Sequence, residues 1–289
     1  MNPYLISLIL GIVEGLTEFL PVSSTAHIRL VGHYIGQHFG GYSDTDPYWK
    51  AVSIVIQLGA VACLPVYFWK QIVKHVKHFP RGENNDRNLI NHPITLTMIA
   101  FVCTAVPAIL LKKRISANLE NFKVIALALL IGGVIMWIVD VMFRKGHTHR
   151  MDQMSLPQAI WVGLIQSLSA IFPGTSRSMS TIAAGQTAGM TRAAALEFSF
   201  FLSIPTMFAA TGKELLDVVR HKDEFAALAP LTHEQFMQIG IGLVSAFVVS
   251  LVVVHLFMGW VRKHGFIPFA IYRIVLGGIL LYLVMHNRL

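Results

Sequence analysis

Six apolar stretches, each long enough to cross a lipid bilayer, constrain the fold of this 289-residue chain more than any other feature. A transmembrane helix needs about 20 predominantly apolar residues. Charged residues make up only 13% of the chain, about half of the roughly 25% found in soluble domains. A soluble fold with so few charges could not cover its surface, so we predict an all-α polytopic membrane protein. Its six predicted transmembrane helices are Ala51–Trp69, Pro93–Leu111, Val124–Phe143, Ala193–Thr211, Phe236–Trp260 and Phe266–Met285.

The basic residues lie mainly between these apolar stretches. The net charge of +8 is therefore typical of a membrane protein with basic loops, and we expect no nucleic-acid partner. Cys63 and Cys103 lie inside apolar stretches, which argues against a disulfide framework and against a zinc site. If both termini are outside, the inner loops are Gln71–His92, Arg144–Leu156 and Arg262–Lys263, and the outer ones are Lys112–Lys123 and Lys213–Glu234.

Two further apolar stretches are interrupted by proline and are too short to cross the bilayer twice. Tyr4–Leu20 stops at Pro21, and a second helical piece begins around Ser23. Leu156–Phe172 stops at Pro173, and its second piece begins around Thr175. Irregular backbone at membrane depth persists only where it packs inside protein or lines a watery cavity. We therefore predict two re-entrant helix hairpins in addition to the six spans.

The two predicted hairpins match each other without a gap. The segment GIVEGLTEFLPVSSTAH aligns with GLIQSLSAIFPGTSRSM, which pairs Pro21 with Pro173 and Ser24 with Ser176. Each half of the chain then contains one hairpin followed by three spans, and an odd number of crossings inverts the second half. The sequence therefore predicts one membrane domain, residues 1–289, built as an inverted-topology repeat of about residues 1–145 and 155–289, with a site where the broken helices meet.

An acidic pair lies in the first hairpin. Glu14 and Glu18 are one helical turn apart, so their carboxylates point the same way and repel each other. Such a pair persists in an apolar setting only if a proton or a cation relieves the repulsion. A divalent cation held by oxygen ligands and substrate phosphates suits it, and we predict Mg²⁺ at Glu14 and Glu18, with Ca²⁺ as the alternative.

Hydroxyl groups and a histidine follow Pro21. A serine at a helix start usually caps free N–H groups, which explains Ser23 alone. Ser24 and His27 are three residues apart and can act on one ligand, with either as nucleophile and the other group, or a glutamate, moving the proton. Direct attack by water is the third possibility, and the spacing does not decide among them. Ser23 and Thr25 are predicted to bind substrate beside them.

The second hairpin has the composition of a phosphate site. Gly174 permits a tight turn, and the helix start after it offers N–H groups to an anion. Arg177 adds a permanent cation whose planar fork matches phosphate oxygens, and its alternative partner is one of the two glutamates. The predicted substrate-binding residues of this hairpin are Gly174, Thr175, Ser176 and Ser178.

These segments resemble the undecaprenyl-pyrophosphate phosphatase family, also called the bacitracin-resistance family, over essentially the whole chain. The resemblance is most specific at EGLTEFLPVSSTAH (Glu14–His27) and PGTSRS (Pro173–Ser178), with support from EFSFFLSIP (Glu197–Pro205). By motif, it implies that Glu14 and Glu18 form the acidic pair, that Ser24 or His27 is the nucleophile, and that Arg177 with Ser176 holds the phosphate.

The resemblance also implies an activity and a location. Family members are bacterial plasma-membrane enzymes that hydrolyse the terminal phosphate of C55 isoprenoid pyrophosphate through a pocket open to the periplasmic side. They recycle the lipid carrier for peptidoglycan and so confer bacitracin resistance. A flippase or anion transporter is the alternative function, because inverted repeats and broken helices also build transporters. The residues favour catalysis, since transport needs no nucleophile, and they leave open whether the chain forms a homodimer.

Overall fold

The computed structural model describes residues 1–43, 45–83, 85–111, 121–220 and 231–286. This part of the chain is helical and contains no β-strand. Its α-helices, numbered here in chain order, are α1 Pro3–Thr17, α2 Ser24–Phe39, α3 Pro47–Tyr67, α4 Trp69–Lys77, α5 Pro93–Leu110, α6 Phe122–Met142, α7 Leu156–Ile171, α8 Arg177–Thr187, α9 Arg192–Arg220, α10 His233–His264 and α11 Ile267–Met285. A short 3₁₀ helix, Met151–Gln153, precedes α7.

Six of these helices are long and apolar enough to cross a membrane: α3, α5, α6, α9, α10 and α11. They correspond to the six predicted spans, so the prediction of a multi-pass, all-helical membrane protein is confirmed. Proline occupies the first helical position of α3 (Pro47) and of α5 (Pro93), where its missing N–H costs nothing. Residues 112–120 and 221–230 of the predicted outer loops lie outside the described residues. The first part of the second predicted outer loop, from Lys213 to Arg220, is not a loop but continues helix α9.

The first predicted inner loop contains a helix that the sequence did not indicate. The chain breaks at Phe68 and continues as α4, whose last turn carries Lys74, His75 and Lys77. Cations at a helix C-terminus offset the negative end of its dipole. The predicted basic loop between the first two spans is therefore partly a short basic helix.

The two Pro-interrupted segments each form a pair of helices whose outer ends lie together. The amino group of Met1 donates to the carbonyl oxygen of Phe39 at 2.7 Å, so α2 returns to the level at which α1 begins. In the second pair, Nε2 of Gln158, in the first turn of α7, donates to the carbonyl oxygen of Ala188, just after α8, at 2.8 Å. Each pair therefore reverses direction at a tip, formed by residues 18–23 in the first and 172–176 in the second.

Glycines let each pair pack closely on a span from the other half of the chain. A Cβ at Gly15 in α1 would lie 2.9 Å from the carbonyl oxygen of Ala246 in α10. In α7, Gly163 is in similarly close contact with Ala100 of α5. Small residues permit such backbone approach between helices in membranes. The first tip is held further by Phe19, which is fully buried and packs edge-on against Phe200 of α9 with ring centroids 5.5 Å apart.

Candidate active site

Serine caps the second helix of each pair in the same unusual backbone conformation. Ser23 precedes α2 with φ 72°, and Ser176 precedes α8 with φ 71°. Positive φ is uncommon outside glycine and is held by surrounding structure, often at functional sites. Each serine side chain accepts a backbone N–H of its helix at 3.4 Å. The capping role expected for Ser23 is confirmed. The equivalent cap in the second tip is Ser176, although the ungapped alignment pairs Ser176 with Ser24, so the two caps differ from that alignment by one residue.

Glu18 connects the two tips. Its Oε2 accepts a hydrogen bond from Ser24 Oγ at 2.6 Å, and its Oε1 accepts one from Arg177 Nη2 at 3.3 Å. The Glu18 and Arg177 side chains are only 5% and 11% exposed. The carboxylate and the hydroxyl of the first helix pair thus meet the guanidinium of the second pair in one buried cluster.

Arg177 also contacts helix α9. Its Nη1 donates to the carbonyl oxygen of Ser199 at 3.4 Å and hydrogen-bonds the Ser203 hydroxyl. Ser199 Oγ in turn lies 2.6 Å from Thr181 Oγ1 of α8. Sequence reasoning missed Ser199 and Ser203, although two serines four residues apart in a span share a helix face and could have indicated a polar partner.

His27 is not bonded to Ser24. Its Nδ1 lies 2.7 Å from the carbonyl oxygen of Ser23, and its Nε2 lies 2.6 Å from the hydroxyl of Tyr272 in α11. Both ring nitrogens therefore have partners, and neither partner is the Ser24 hydroxyl. Tyr272 was not among the predicted site residues.

The other predicted residues of the first hairpin differ in their surroundings. Glu14 is 4% exposed, and its Oε1 is buried without a hydrogen-bond partner. Thr25 is exposed. An unpartnered buried carboxylate oxygen is costly unless something binds it, so Glu14 Oε1 is open to the proton or cation expected to relieve the acidic pair.

In the second tip, the serines are engaged in hydrogen bonds within the protein. Ser176 Oγ lies 3.0 Å from Ser178 Oγ, and Ser178 Oγ lies 3.0 Å from the carbonyl oxygen of Leu20 in the first tip. Gly174 has φ 94°, in agreement with the tight turn expected there. The N–H of Thr175 donates to the carbonyl oxygen of Phe172 at 3.1 Å.

Arg273 of α11 holds both tips and was not predicted as a site residue. It is fully buried. Its guanidinium donates to the carbonyl oxygen of Pro21 at 3.2 Å, and to those of Gly174 and Thr175 at 3.1 and 2.9 Å. A further bond reaches Ala128 of α6 at 3.1 Å. An arginine inside a predicted span was the available signal, since intramembrane ionisable residues are rare and usually functional.

Two polar cavities lie elsewhere, around α4 and the segment before α7. They measure about 260 and 410 Å³, and Arg150 and Asp152 line both. Neither contains a predicted site residue. Glu197 lines the larger one and accepts a hydrogen bond from Gln71 Nε2 at 2.6 Å. The tips are the candidate active site, because the carboxylates, hydroxyls and Arg177 converge there.

A profile of the family described as Bacitracin resistance protein BacA matches residues 7–279. A relative named undecaprenyl-diphosphatase, from Koribacter versatilis, is 56% identical over 281 residues, which cover 96% of each chain. This chain belongs to that family. A second family member, undecaprenyl-diphosphatase 2 of Paramagnetospirillum magneticum, is 39% identical over 96% of this chain and 98% of its own. A third, from Caldanaerobacter subterraneus, is 37% identical over 96% and 94%.

Family membership confirms the resemblance read from the two motifs. The motif residues Glu18, Ser24 and Arg177 are those that the fold brings together at hydrogen-bonding distance.

Proposed function

We propose that this chain hydrolyses undecaprenyl diphosphate to undecaprenyl phosphate and inorganic phosphate, which recycles the lipid carrier for peptidoglycan synthesis. The observation that carries the proposal is the double contact of Glu18 with Ser24 and with Arg177. It joins a nucleophile, a proton acceptor and a phosphate-binding cation in one buried cluster of a multi-pass membrane protein. Family members named undecaprenyl-diphosphatase support the choice of substrate.

Ser24 is the nucleophile in this proposal, because Glu18 already accepts its hydroxyl hydrogen bond at 2.6 Å. Ser24 Oγ attacks the terminal phosphorus and its proton passes to Glu18. The bond from that phosphorus to the bridging oxygen breaks, and undecaprenyl phosphate leaves. Water then attacks the phosphoserine, and the bond from phosphorus to Oγ breaks. Glu18 returns the proton to Oγ, and the proton lost by the water leaves with inorganic phosphate, so that the serine hydroxyl and the carboxylate are both restored.

Arg177 stabilises the charge of the phosphoryl group. Its partners Glu18, Ser199 and Ser203 hold the guanidinium in place before substrate arrives. Catalysis of phosphoryl transfer is mostly positioning and charge neutralisation, and a preorganised cation contributes both. The proposed substrate-binding set is completed by residues in or beside the same tips: Ser23, Thr25, Gly174, Thr175, Ser176 and Ser178.

A divalent cation fits the acidic pair. The described residues contain no group of three or more His, Cys, Asp or Glu side chains arranged for a metal, but Mg²⁺ commonly uses one or two carboxylates together with substrate phosphates. The unpartnered Oε1 of Glu14 agrees with such a role. Glu14 and Glu18 would hold the ion, Mg²⁺ or alternatively Ca²⁺, which would neutralise charge on the diphosphate.

The two helix pairs are re-entrant hairpins of an inverted-topology repeat in this proposal, spanning about residues 1–145 and 155–289 of one membrane domain. In support, α1 packs against the second span of the second half, and α7 packs against the second span of the first half. The chain resides in the bacterial plasma membrane with the tips open to the periplasmic side. Whether it forms a homodimer is to be measured in detergent by light scattering.

The test is phosphate release from undecaprenyl diphosphate by the purified protein in detergent with Mg²⁺. We expect turnover by the wild type and none by Ser24→Ala. A radiolabelled terminal phosphate should be trapped on residue 24 after rapid acid quench. Absence of release by the wild type, together with lipid transport in liposomes, would overturn the proposed hydrolysis in favour of a transporter. A phospho-enzyme mapped to His27 would overturn the role of Ser24 alone.

A further inference from the structure

The two ring nitrogens of His27 have different partners, and these partners define its tautomer. The Ser23 carbonyl oxygen, 2.7 Å from Nδ1, can only accept a hydrogen bond, so Nδ1 carries a proton. In the neutral imidazole Nε2 then has a lone pair. The Tyr272 hydroxyl, 2.6 Å away, is the donor to it. The two rings are nearly parallel, with an interplanar angle of 10°.

The segment of α11 that carries Tyr272 is anchored by the next residue in sequence. Arg273 is anchored to backbone carbonyl oxygens of Pro21 in the first tip and of Gly174 and Thr175 in the second. Helix α11 is therefore fixed relative to both tips at the residue next to Tyr272. A group held on a rigid, anchored element loses little freedom when it acts on a neighbour.

We infer that Tyr272 is a positioning residue for His27: it holds the imidazole in the Nδ1–H tautomer and keeps Nε2 away from the Ser24–Glu18 pair. The site then contains two separate proton-handling pairs, Ser24 with Glu18 and His27 with Tyr272. The Ser23 carbonyl oxygen accepts the hydrogen bond from Nδ1 of His27, and Ser23 is the residue of the first tip with a positive φ. The inference rests on the proposed hydrolysis for its catalytic consequence, but not for the tautomer itself.

Tyr272→Phe is the decisive variant, because it removes one hydroxyl and keeps the ring. Tyr282→Phe is the matched control, since Tyr282 lies on the same helix, is exposed to a comparable degree (56% against 45%) and also has its ring beside a histidine, His286. We expect Tyr272→Phe to lower kcat for undecaprenyl diphosphate by about five- to tenfold, the effect of losing one good hydrogen bond, with KM unchanged. Tyr282→Phe should behave like the wild type.

The tautomer is measured independently by solid-state NMR of protein labelled with ¹⁵N-histidine, with the His27 signals identified by their absence in His27→Gln. We expect a protonated Nδ1 and a hydrogen-bonded, unprotonated Nε2 in the wild type. In Tyr272→Phe the Nε2 resonance should move to the position of a nitrogen without a hydrogen bond. A proton on Nε2 in the wild type, or an Nε2 resonance unaffected by Tyr272→Phe, overturns the inference.

The two readouts separate this inference from the proposed function. If the wild type releases no phosphate, the proposed hydrolysis fails while the NMR comparison still decides the His27–Tyr272 pair. If the wild type turns over and Tyr272→Phe has the same kcat, or only a raised KM, the positioning role fails and the proposed hydrolysis stands.

Discussion

Glu18 and Arg177, which are 159 residues apart in the chain, form an ion pair between the two helix pairs, with Oε1 and Nη2 3.3 Å apart. Neither residue could remain buried as a lone charge, because removing one partner of a buried pair typically costs about 3–5 kcal/mol. The pair therefore ties the formation of the site to the docking of the two tips on each other. A diphosphate entering the site would offer Arg177 a second anionic partner.

Arg177→Lys should lower kcat/KM by at least about 100-fold, comparable with the loss of a preorganised charge-stabilising donor. A lysine ammonium cannot replace the planar fork that reaches Glu18, Ser199 and Ser203 together. The measurement is phosphate release from undecaprenyl diphosphate, with Arg150→Lys as the control, because Arg150 pairs with Asp152 in an exposed position. Near-normal turnover by Arg177→Lys would show that the phosphate is held elsewhere.

Glu18→Gln should weaken both turnover and the dependence on Mg²⁺, and Glu14→Gln should raise the Mg²⁺ concentration needed for half-maximal rate. Both predictions follow from the loss of a carboxylate charge at the proposed ion site. A Mg²⁺ titration of phosphate release checks them, with Glu234→Gln, an exposed position at the start of α10, as the control. An unchanged Mg²⁺ requirement in both site variants would remove the metal from this pair.

Gly174→Ala should destabilise the second tip by about 1–3 kcal/mol, the usual cost of a residue held in an unfavourable backbone region. The φ of 94° disfavours any side chain, and a Cβ would lie 2.7 Å from the carbonyl oxygen of Ile125. Thermal unfolding in detergent measures the loss. Gly278→Ala in α11 is the matched control, since no described atom lies within 4 Å of its added Cβ. Equal stability of the two variants would contradict the role of Gly174.

Arg273→Met should impair turnover although Arg273 is not proposed to touch the substrate. The change leaves the tip carbonyl oxygens of Pro21, Gly174 and Thr175 without the donors that the guanidinium supplies, whereas that of Ala128 lies inside helix α6. Unsatisfied buried groups cost about 1–3 kcal/mol each, so the tips should loosen. We expect a lower kcat and faster proteolysis at residues 18–23 and 172–176. Wild-type values of both would show that the tips hold their geometry without Arg273.

Acidification should destabilise the protein through His75 of α4. Burial lowers the pKa of His75 below its ordinary value of 6.5, and the neighbouring His92 lowers it further. Its Nε2 is buried without a partner. The unfolded chain therefore binds a proton at this residue more readily, so the contribution of His75 is present above about pH 6.5 and is lost as the pH falls.

The measurement is the melting temperature in detergent at about pH 7.5 and about pH 5.5, compared between the wild type and His75→Gln. The decrease on acidification should be smaller in His75→Gln than in the wild type, and His149→Gln, at an exposed position, should leave it unchanged. An identical decrease in wild type and His75→Gln would exclude His75 as the source.

The sequence was sufficient for the spans and for the motif residues. An apolar run of about 20 residues crosses a bilayer as a helix, because a helix satisfies all its backbone hydrogen bonds within the segment. All six predicted spans are present as helices. Pro21 and Pro173 likewise indicated both tips, since a proline removes a helix hydrogen bond and disfavours helical backbone at the residue before it. The residues between Glu14 and His27 and between Gly174 and Ser178 were predicted as one site, because charged and hydroxyl groups are costly in apolar segments unless they act together.

The partners of those residues required the packed structure. Whether Ser24 bonds to Glu18 or to His27 depends on side-chain directions set by the tip backbone, which local spacing does not define. Arg273 and Tyr272 lie about 250 residues from the first tip along the chain, and their place in the site arises from the packing of α11 against α6. The apolar runs and the two polar motifs were therefore predictable from the sequence alone. The hydrogen-bond partners, Glu18 for Ser24 and Tyr272 for His27, are determined by long-range packing.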